Sequence, residues 1–205
     1  MKTLKFACAL AVVTSATVAS AQDAALLDFS GGARYDSYYG SLAGDVIGWT
    51  FDVNYDIFVT DLGYWIDDQD FIMDSIHEVG IWTLGGVLLA DTVVDPNTAW
   101  TFNGFNYQSI DPLALEGGQT YVIGGMTRSG DNDWYVSGAS SANWGSAVTF
   151  VESRYPLEGE LGFVFPGSTS SSIGRFGPNF LYSDIPAPGA LALLGLAGLV
   201  RRRLR

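Results

Sequence analysis

The body of this 205-residue chain reads as all-β: one antiparallel β-sandwich or jelly roll. Three observations predict it. Apolar and polar residues alternate at period two over strand lengths, glycine-rich turns punctuate them, and no window of helical length carries a 3.6-residue apolar stripe. Many short strands with frequent glycine turns are the pattern of sandwiches and jelly rolls.

Taken in order, strands are predicted at 47–53 and 58–66. In the second, Phe58, Thr60, Leu62, Tyr64 and Ile66 share one face, with Val59, Asp61 and Gly63 on the other. Segments 76–84 and 87–94 flank Gly85-Gly86, a turn that permits positive φ and predicts a hairpin. An aromatic strand at 100–107 is interrupted at Asn103-Gly104, and Glu116-Gly117-Gly118-Gln119 turns into a strand at 120–123. Further strands are expected at 133–136, 147–152, 161–165 and 176–182. The Gly/Ser-rich run 166–172 reads as a surface loop or the start of a stalk, and Phe176, Phe180, Leu181 and Tyr182 after it favour a loop returning to a last strand.

Three regions are expected: 1–21, the body 22–184, and 185–205. All 22 acidic residues lie in the body, against only Arg34, Arg128, Arg154 and Arg175, a formal net charge of −18 hidden by basic ends in a whole-chain value of −12. Such a surface repels nucleic acid, anionic lipid and acidic polysaccharide unless divalent cations bridge them, which excludes a nucleic-acid binder. The single cysteine, Cys8, excludes an internal disulfide. Of 28 Phe, Trp and Tyr, all but Phe6 lie in the body. At about 150–250 Å² per ring, they can fill one core without cross-links.

The start of the chain has lysines at 2 and 5, an apolar run over 6–13, and small residues ending at Ala19-Ser20-Ala21. This is the pattern of a secretory signal peptide, with cleavage after Ala21 and before Gln22. It implies the Sec translocon and signal peptidase as partners. At the other end, Pro186-Ala187-Pro188 precedes an uncharged stretch that runs to Val200 and stops at Arg201-Arg202-Arg203. As a helix, the 16 uncharged residues 185–200 would reach roughly 24 Å, short of a hydrocarbon core of about 30 Å unless arginines snorkel. The terminal arginines would stay cytoplasmic, leaving the body outside.

These C-terminal residues, with Leu191-Ala192-Leu193-Leu194-Gly195-Leu196-Ala197-Gly198 between them, closely resemble the PEP-CTERM protein-sorting tail of Gram-negative bacteria. Ala187 departs from the acidic residue usual between the prolines. The resemblance implies processing by an exosortase-type transpeptidase, transient residence in the inner membrane, and association with exopolysaccharide or biofilm in the envelope or matrix. The tail is also known from ice-binding proteins, but a regular Thr-x-Thr array does not appear here. The body is similar, over roughly residues 28–165, to a β-sandwich domain of unknown function that recurs in secreted bacterial proteins. The match rests on Ile47-Gly48-Trp49-Thr50-Phe51, His77-Glu78-Val79-Gly80-Ile81-Trp82 and Pro112-Leu113-Ala114-Leu115-Glu116-Gly117-Gly118-Gln119. It implies fold and location and brings no catalytic residues.

For chemistry, the only histidine is His77, beside Glu78, with no G-x-S-x-G elbow and no second His to complete a triad or zinc site. It reads as a strand residue making a structural hydrogen bond, so a non-enzymatic protein is expected and no catalytic residue is named. Abundant carboxylates leave a glycosidase pair conceivable from spacing alone, making a secreted carbohydrate-active protein the alternative. Two acidic loops could gather Ca²⁺ oxygen ligands, as in a Ca-dependent adhesin: Asp67, Asp68, Asp70 and Asp74, and Asp131 with Asp133. Equally, Asp and Asn are ordinary turn residues. Aromatic residues beside Asp and Asn could stack on sugar rings: Trp134 and Tyr135, Trp144, and Tyr35, Tyr38 and Tyr39 in a Gly-rich stretch.

Overall fold

Sixteen strands account for the regular structure of the computed structural model, which describes residues 22–67 and 71–184 and contains no helix among them. They are β1 (Asp23–Ala24), β2 (Leu26–Ser30), β3 (Ala33–Tyr35), β4 (Asp45–Val53), β5 (Ile57–Trp65), β6 (His77–Thr83), β7 (Leu88–Val94) and β8 (Trp100–Phe102). The second half supplies β9 (Phe105–Leu115), β10 (Thr120–Thr127), β11 (Tyr135–Ser137), β12 (Ser141–Trp144), β13 (Val148–Tyr155), β14 (Ser168–Ser170), β15 (Gly174–Phe176) and β16 (Pro178–Asp184). The all-β class is as expected. The signal-peptide and sorting-tail segments, including Ala19, Ala21, Pro186 to Pro188 and Arg201 to Arg203, lie outside the described residues, as do Asp68 and Asp70.

Two antiparallel sheets, ordered β1-β16-β5-β9-β8 and β14-β13-β4-β10-β6-β7, face each other in a sandwich-like pair of layers. Smaller sheets β15-β11-β3 and β12-β2 complete the described strands. Alternation puts Trp49 and Phe51 of β4 and Ile123 of β10 on the inner side, where they meet Phe180 of β16. The rings of Phe51 and Phe180 lie 5.0 Å apart and those of Trp49 and Phe180 6.1 Å apart, so aromatic contact crosses between the layers. The Trp49 indole N–H donates to the Pro178 carbonyl at 3.1 Å, satisfying its polar edge inside the core.

The predicted faces of β5 are corrected by a change of phase. Phe58 and Thr60 are only half-buried, whereas Ile57, Val59, Leu62 and Tyr64 are buried. Thr60 is an extra residue against β16, and 110–112 bulge against β5, so the inward set shifts by one residue at that point. Pro112, which has no N–H for a ladder, sits within the bulge.

The hairpins follow their turn chemistry. Asn103 and Gly104 have φ of 51° and 78°, so what looked like an interruption of one strand is the two-residue turn joining β8 to β9. Between β6 and β7 the connection is the four residues 84–87 rather than two: the Gly86 N–H donates to the Thr83 carbonyl and Gly86 takes the positive φ.

Segment 161–165, predicted as a strand, is not one. Phe163 and Phe165 instead lie over Trp82, Val46, Val122 and Met126, making a second small core on the outer side of the six-stranded sheet. Room for Trp82 comes from Gly124 and Gly80, which with Gly48 pair across three neighbouring strands and share that face. A Cβ on Gly124 would press on Trp82 and Val46, and one on Gly48 would overlap the Ile123 carbonyl.

Candidate functional site

Two groups of residues bear on the sites expected from the sequence: a buried structural clasp and a surface cluster. The clasp centres on His77, fully buried at the start of β6. Its Nδ1 lies 2.8 Å from the Met126 carbonyl oxygen and its Nε2 3.1 Å from Asp133 Oδ2. The ring stacks on Tyr64 at 3.7 Å between centroids, with planes 6° apart. Asp133, 2% exposed, also accepts the backbone N–H groups of Asp74 at 2.9 Å and Ser75 at 2.7 Å.

The two acidic loops singled out from the sequence therefore do meet, through the Asp133 carboxylate accepting the amides of Asp74 and Ser75. Asp74 itself is exposed. Asp67 is 3% exposed and lies 3.2 Å from Arg34 Nε. Burial raises the Asp131 carboxyl above its ordinary range, against the pull of His77 and Arg128. Its Oδ2 is buried with no hydrogen-bond partner among the described residues. No three His, Cys, Asp or Glu side chains are grouped to hold a metal ion among the described residues.

The sugar-stacking candidates separate. Trp144 packs against Trp49 at 4.9 Å, Phe150 at 5.2 Å and Phe176 at 5.6 Å, so its ring is engaged with the core. Trp134 is half-buried against the same core. Tyr135 is 1% exposed, but it lies in a cluster with the three N-terminal tyrosines. Tyr35 stacks on it at 5.8 Å, and Tyr38 contacts Tyr39 and Tyr155, each at 4.8 Å.

Arg175 sits among these rings. Its guanidinium carbon is 4.6 Å from the Tyr38 centroid, 5.3 Å from Tyr155 and 5.7 Å from Tyr135, and its Nη1 donates to the Tyr135 hydroxyl at 3.0 Å. Burial pushes the Tyr135 phenol up to about 12, with Arg175 pulling the other way.

The sheet β15-β11-β3 and the turn before β4 position these groups. Gly174 pairs with Ser137 and Phe176 with Val136, leaving Arg175 as a bulge residue at φ 63°. Bulges re-aim side chains, and a non-glycine residue at positive φ is held there only by its surroundings. The 37–41 turn is organised by Asp45, fully buried at the start of β4. Its Oδ2 accepts Ser37 Oγ and Tyr39 N, both at 2.9 Å, and its Oδ1 accepts Tyr38 N at 3.0 Å and Thr127 Oγ1 at 2.8 Å. A buried carboxylate with four donors is a stable anchor. Tyr39 and Tyr35 remain 43% and 46% exposed, so part of each ring reaches solvent from a rigid base.

Sequence reasoning named Tyr35, Tyr38, Tyr39 and Tyr135 but not Tyr155, Arg175 or Asp45. Arg175 carried a readable signal: it is one of only four basic residues in the body.

No protein-family model matches the chain, and no curated protein matches it.

Proposed function

We propose that the chain is an exported, non-enzymatic protein of the envelope or extracellular matrix, sorted through its PEP-CTERM-like tail and structural or adhesive within exopolysaccharide. In this reading 1–21 is a signal peptide, 22–184 one antiparallel sandwich or jelly-roll domain, and 185–205 a removable membrane segment recognised by an exosortase-type enzyme. Export uses the Sec translocon and signal peptidase, with a brief stay at the inner membrane of a Gram-negative bacterium.

The observation that supports the reading is the sequence pattern of the two ends, signal-peptide-like over 1–21 and PEP-CTERM-like over 185–205, on either side of an all-β body. The sole histidine supports a non-catalytic body, because both ring nitrogens are committed to buried partners. A body without cysteine, filled by aromatic rings, suits a compartment where stability comes from the core.

Fractionation of cells expressing the full chain, with mass spectrometry of the exported form, tests this. A mature N-terminus at Gln22 and loss of the terminal arginines are expected. Intact chain in the cytosol, with Met1 and Arg205 attached, overturns it. Hydrolysis of any polysaccharide by the purified protein, abolished by replacing one carboxylate, overturns the non-enzymatic part.

A further inference from the structure

We infer that the tyrosine cluster around Arg175 is a binding site for a carboxylate-bearing sugar of a polysaccharide, with Arg175 holding the carboxylate and Tyr35 and Tyr39 stacking on the ring faces. This deepens the proposed function, on which it rests for the source of the ligand.

Three independent features converge. First, Arg175 is a cation with no carboxylate partner among the described residues, in a body with 22 acidic side chains. Only Nη1 has a protein acceptor, and neither Nε nor Nη2 is a buried unpartnered atom, so both reach solvent. A guanidinium edge carrying free donors matches a carboxylate in bidentate geometry. Second, the side chain is pre-set. Three tyrosine rings flank the guanidinium, and the bulge at φ 63° fixes the backbone beneath it, so little freedom is lost on binding. Third, exposed Tyr35 stacks on Tyr135 and exposed Tyr39 packs on Tyr38, two of the rings that flank the cation, and Asp45 anchors the turn that carries Tyr39. Flat rings with hydroxyl tips offer both the apolar face and the hydrogen bonds that a pyranose ring needs.

The acidic body selects how such a ligand arrives. A net −18 repels a polyanion at long range, whereas the guanidinium–carboxylate contact acts at short range. Screening shortens the repulsion from about 30 Å at 10 mM salt to about 8 Å at 150 mM. Binding of a polyuronate should therefore strengthen over that range, the reverse of a site that works by bulk charge attraction.

The test uses the purified full chain titrated calorimetrically with galacturonic acid oligomers, and with the same oligomers after reduction of their carboxylates to neutral alcohols. Binding of the acidic oligomers is expected, with affinity lower by about tenfold or more for the reduced form. Arg175→Asn, whose new side chain tolerates positive φ, should weaken the acidic oligomer by about tenfold or more and the reduced oligomer far less, a difference that a lower melt from the lost Tyr135 hydrogen bond does not produce. Tyr39→Ala, at an exposed position, should weaken both by about fivefold or more. Equal binding of acidic and reduced oligomers, an unaffected Arg175→Asn, or no binding by the parent chain each overturns the site. These outcomes leave the fractionation result untouched, and a cytosolic intact chain would leave a measured oligomer affinity standing, so the two failures are distinguishable.

Discussion

Nε2 of His77 faces Asp133 Oδ2 at 3.1 Å while Nδ1 of the same ring faces the Met126 carbonyl oxygen at 2.8 Å. A carbonyl only accepts, so Nδ1 carries a proton. Oδ2 also accepts the Ser75 N–H, so the Asp133 carboxyl ties the ring to the loop at 74–75. The pair thus bridges β6, the end of β10 and the approaches to two loops through one fully occupied ring.

Removing one member strands the others. His77→Phe keeps a ring on Tyr64 but deprives the Met126 carbonyl and Asp133 of their partner. A loss of about 3–5 kcal/mol is expected in urea unfolding, in line with breaking a buried pair. A change below about 1 kcal/mol would show the clasp to be dispensable.

Tyr64 is the opposite case. Its hydroxyl is buried with no hydrogen-bond partner among the described residues, while its ring makes the stack on His77. Tyr64→Phe retains the stack and deletes the unsatisfied group. Stability should rise by about 1–2 kcal/mol, visible as a higher melting temperature.

Burial raises the Tyr135 phenol from an ordinary value of 10.0 to about 12, Arg175 opposing. Folding therefore favours the protonated phenol. That contribution is complete below pH 10 and disappears as pH climbs through about 12. Burial likewise raises Tyr64 and Tyr107. Absorbance at 295 nm should show the exposed tyrosines ionising first, with the buried ones following only as the circular dichroism of the fold is lost.

Asp45→Asn removes the charge that holds the Tyr38 and Tyr39 amides. One amide oxygen cannot replace two carboxylate oxygens serving four donors. A cost of about 2–3 kcal/mol is expected, with faster hydrogen exchange at Tyr38 and Tyr39 than in the sheets. Protection unchanged at both amides would refute the anchoring role.

Asn179 ties the chain's beginning to its end. Its Oδ1 accepts Leu26 N at 3.0 Å, and its Nδ2 donates to Leu26 O and to the Tyr107 hydroxyl, both at 2.9 Å. Asn179→Asp keeps the shape but loses the donor and buries a charge. Destabilisation of about 3 kcal/mol or more is expected by denaturant titration.

Much of the sandwich was legible because its long strands carry period-two patterning and its turns carry glycine: β4, β6, β7, β10 and β13 fall close to where alternation puts them. The short strands were not. β1, β2, β3 and β12 occupy an N-terminal stretch and a Ser-rich segment with little alternation, and they are held by distant partners such as Asn179. The phase of β5 was misread because nothing local marks Thr60 as a bulge. Phe163 and Phe165 look like strand residues, since burial on an outer face and burial in a ladder leave the same apolar letters. At the surface cluster, four tyrosines were visible as aromatic letters near polar ones. Tyr155 and Arg175 joined them only through pairing across long sequence separations.

The position of β16 between β1 and β5 sets a timetable. The five-stranded layer has no contiguous form until residues 178–184 arrive, and Trp49, Leu26 and Tyr107 wait for Pro178 and Asn179 to take up their polar atoms. Long-range closure of this kind is slow compared with local pairing. The β6–β7 and β8–β9 hairpins need no distant partner, but the contact between the two layers at Trp49 and Phe51 is complete only once residues 178–184 take their place between β1 and β5.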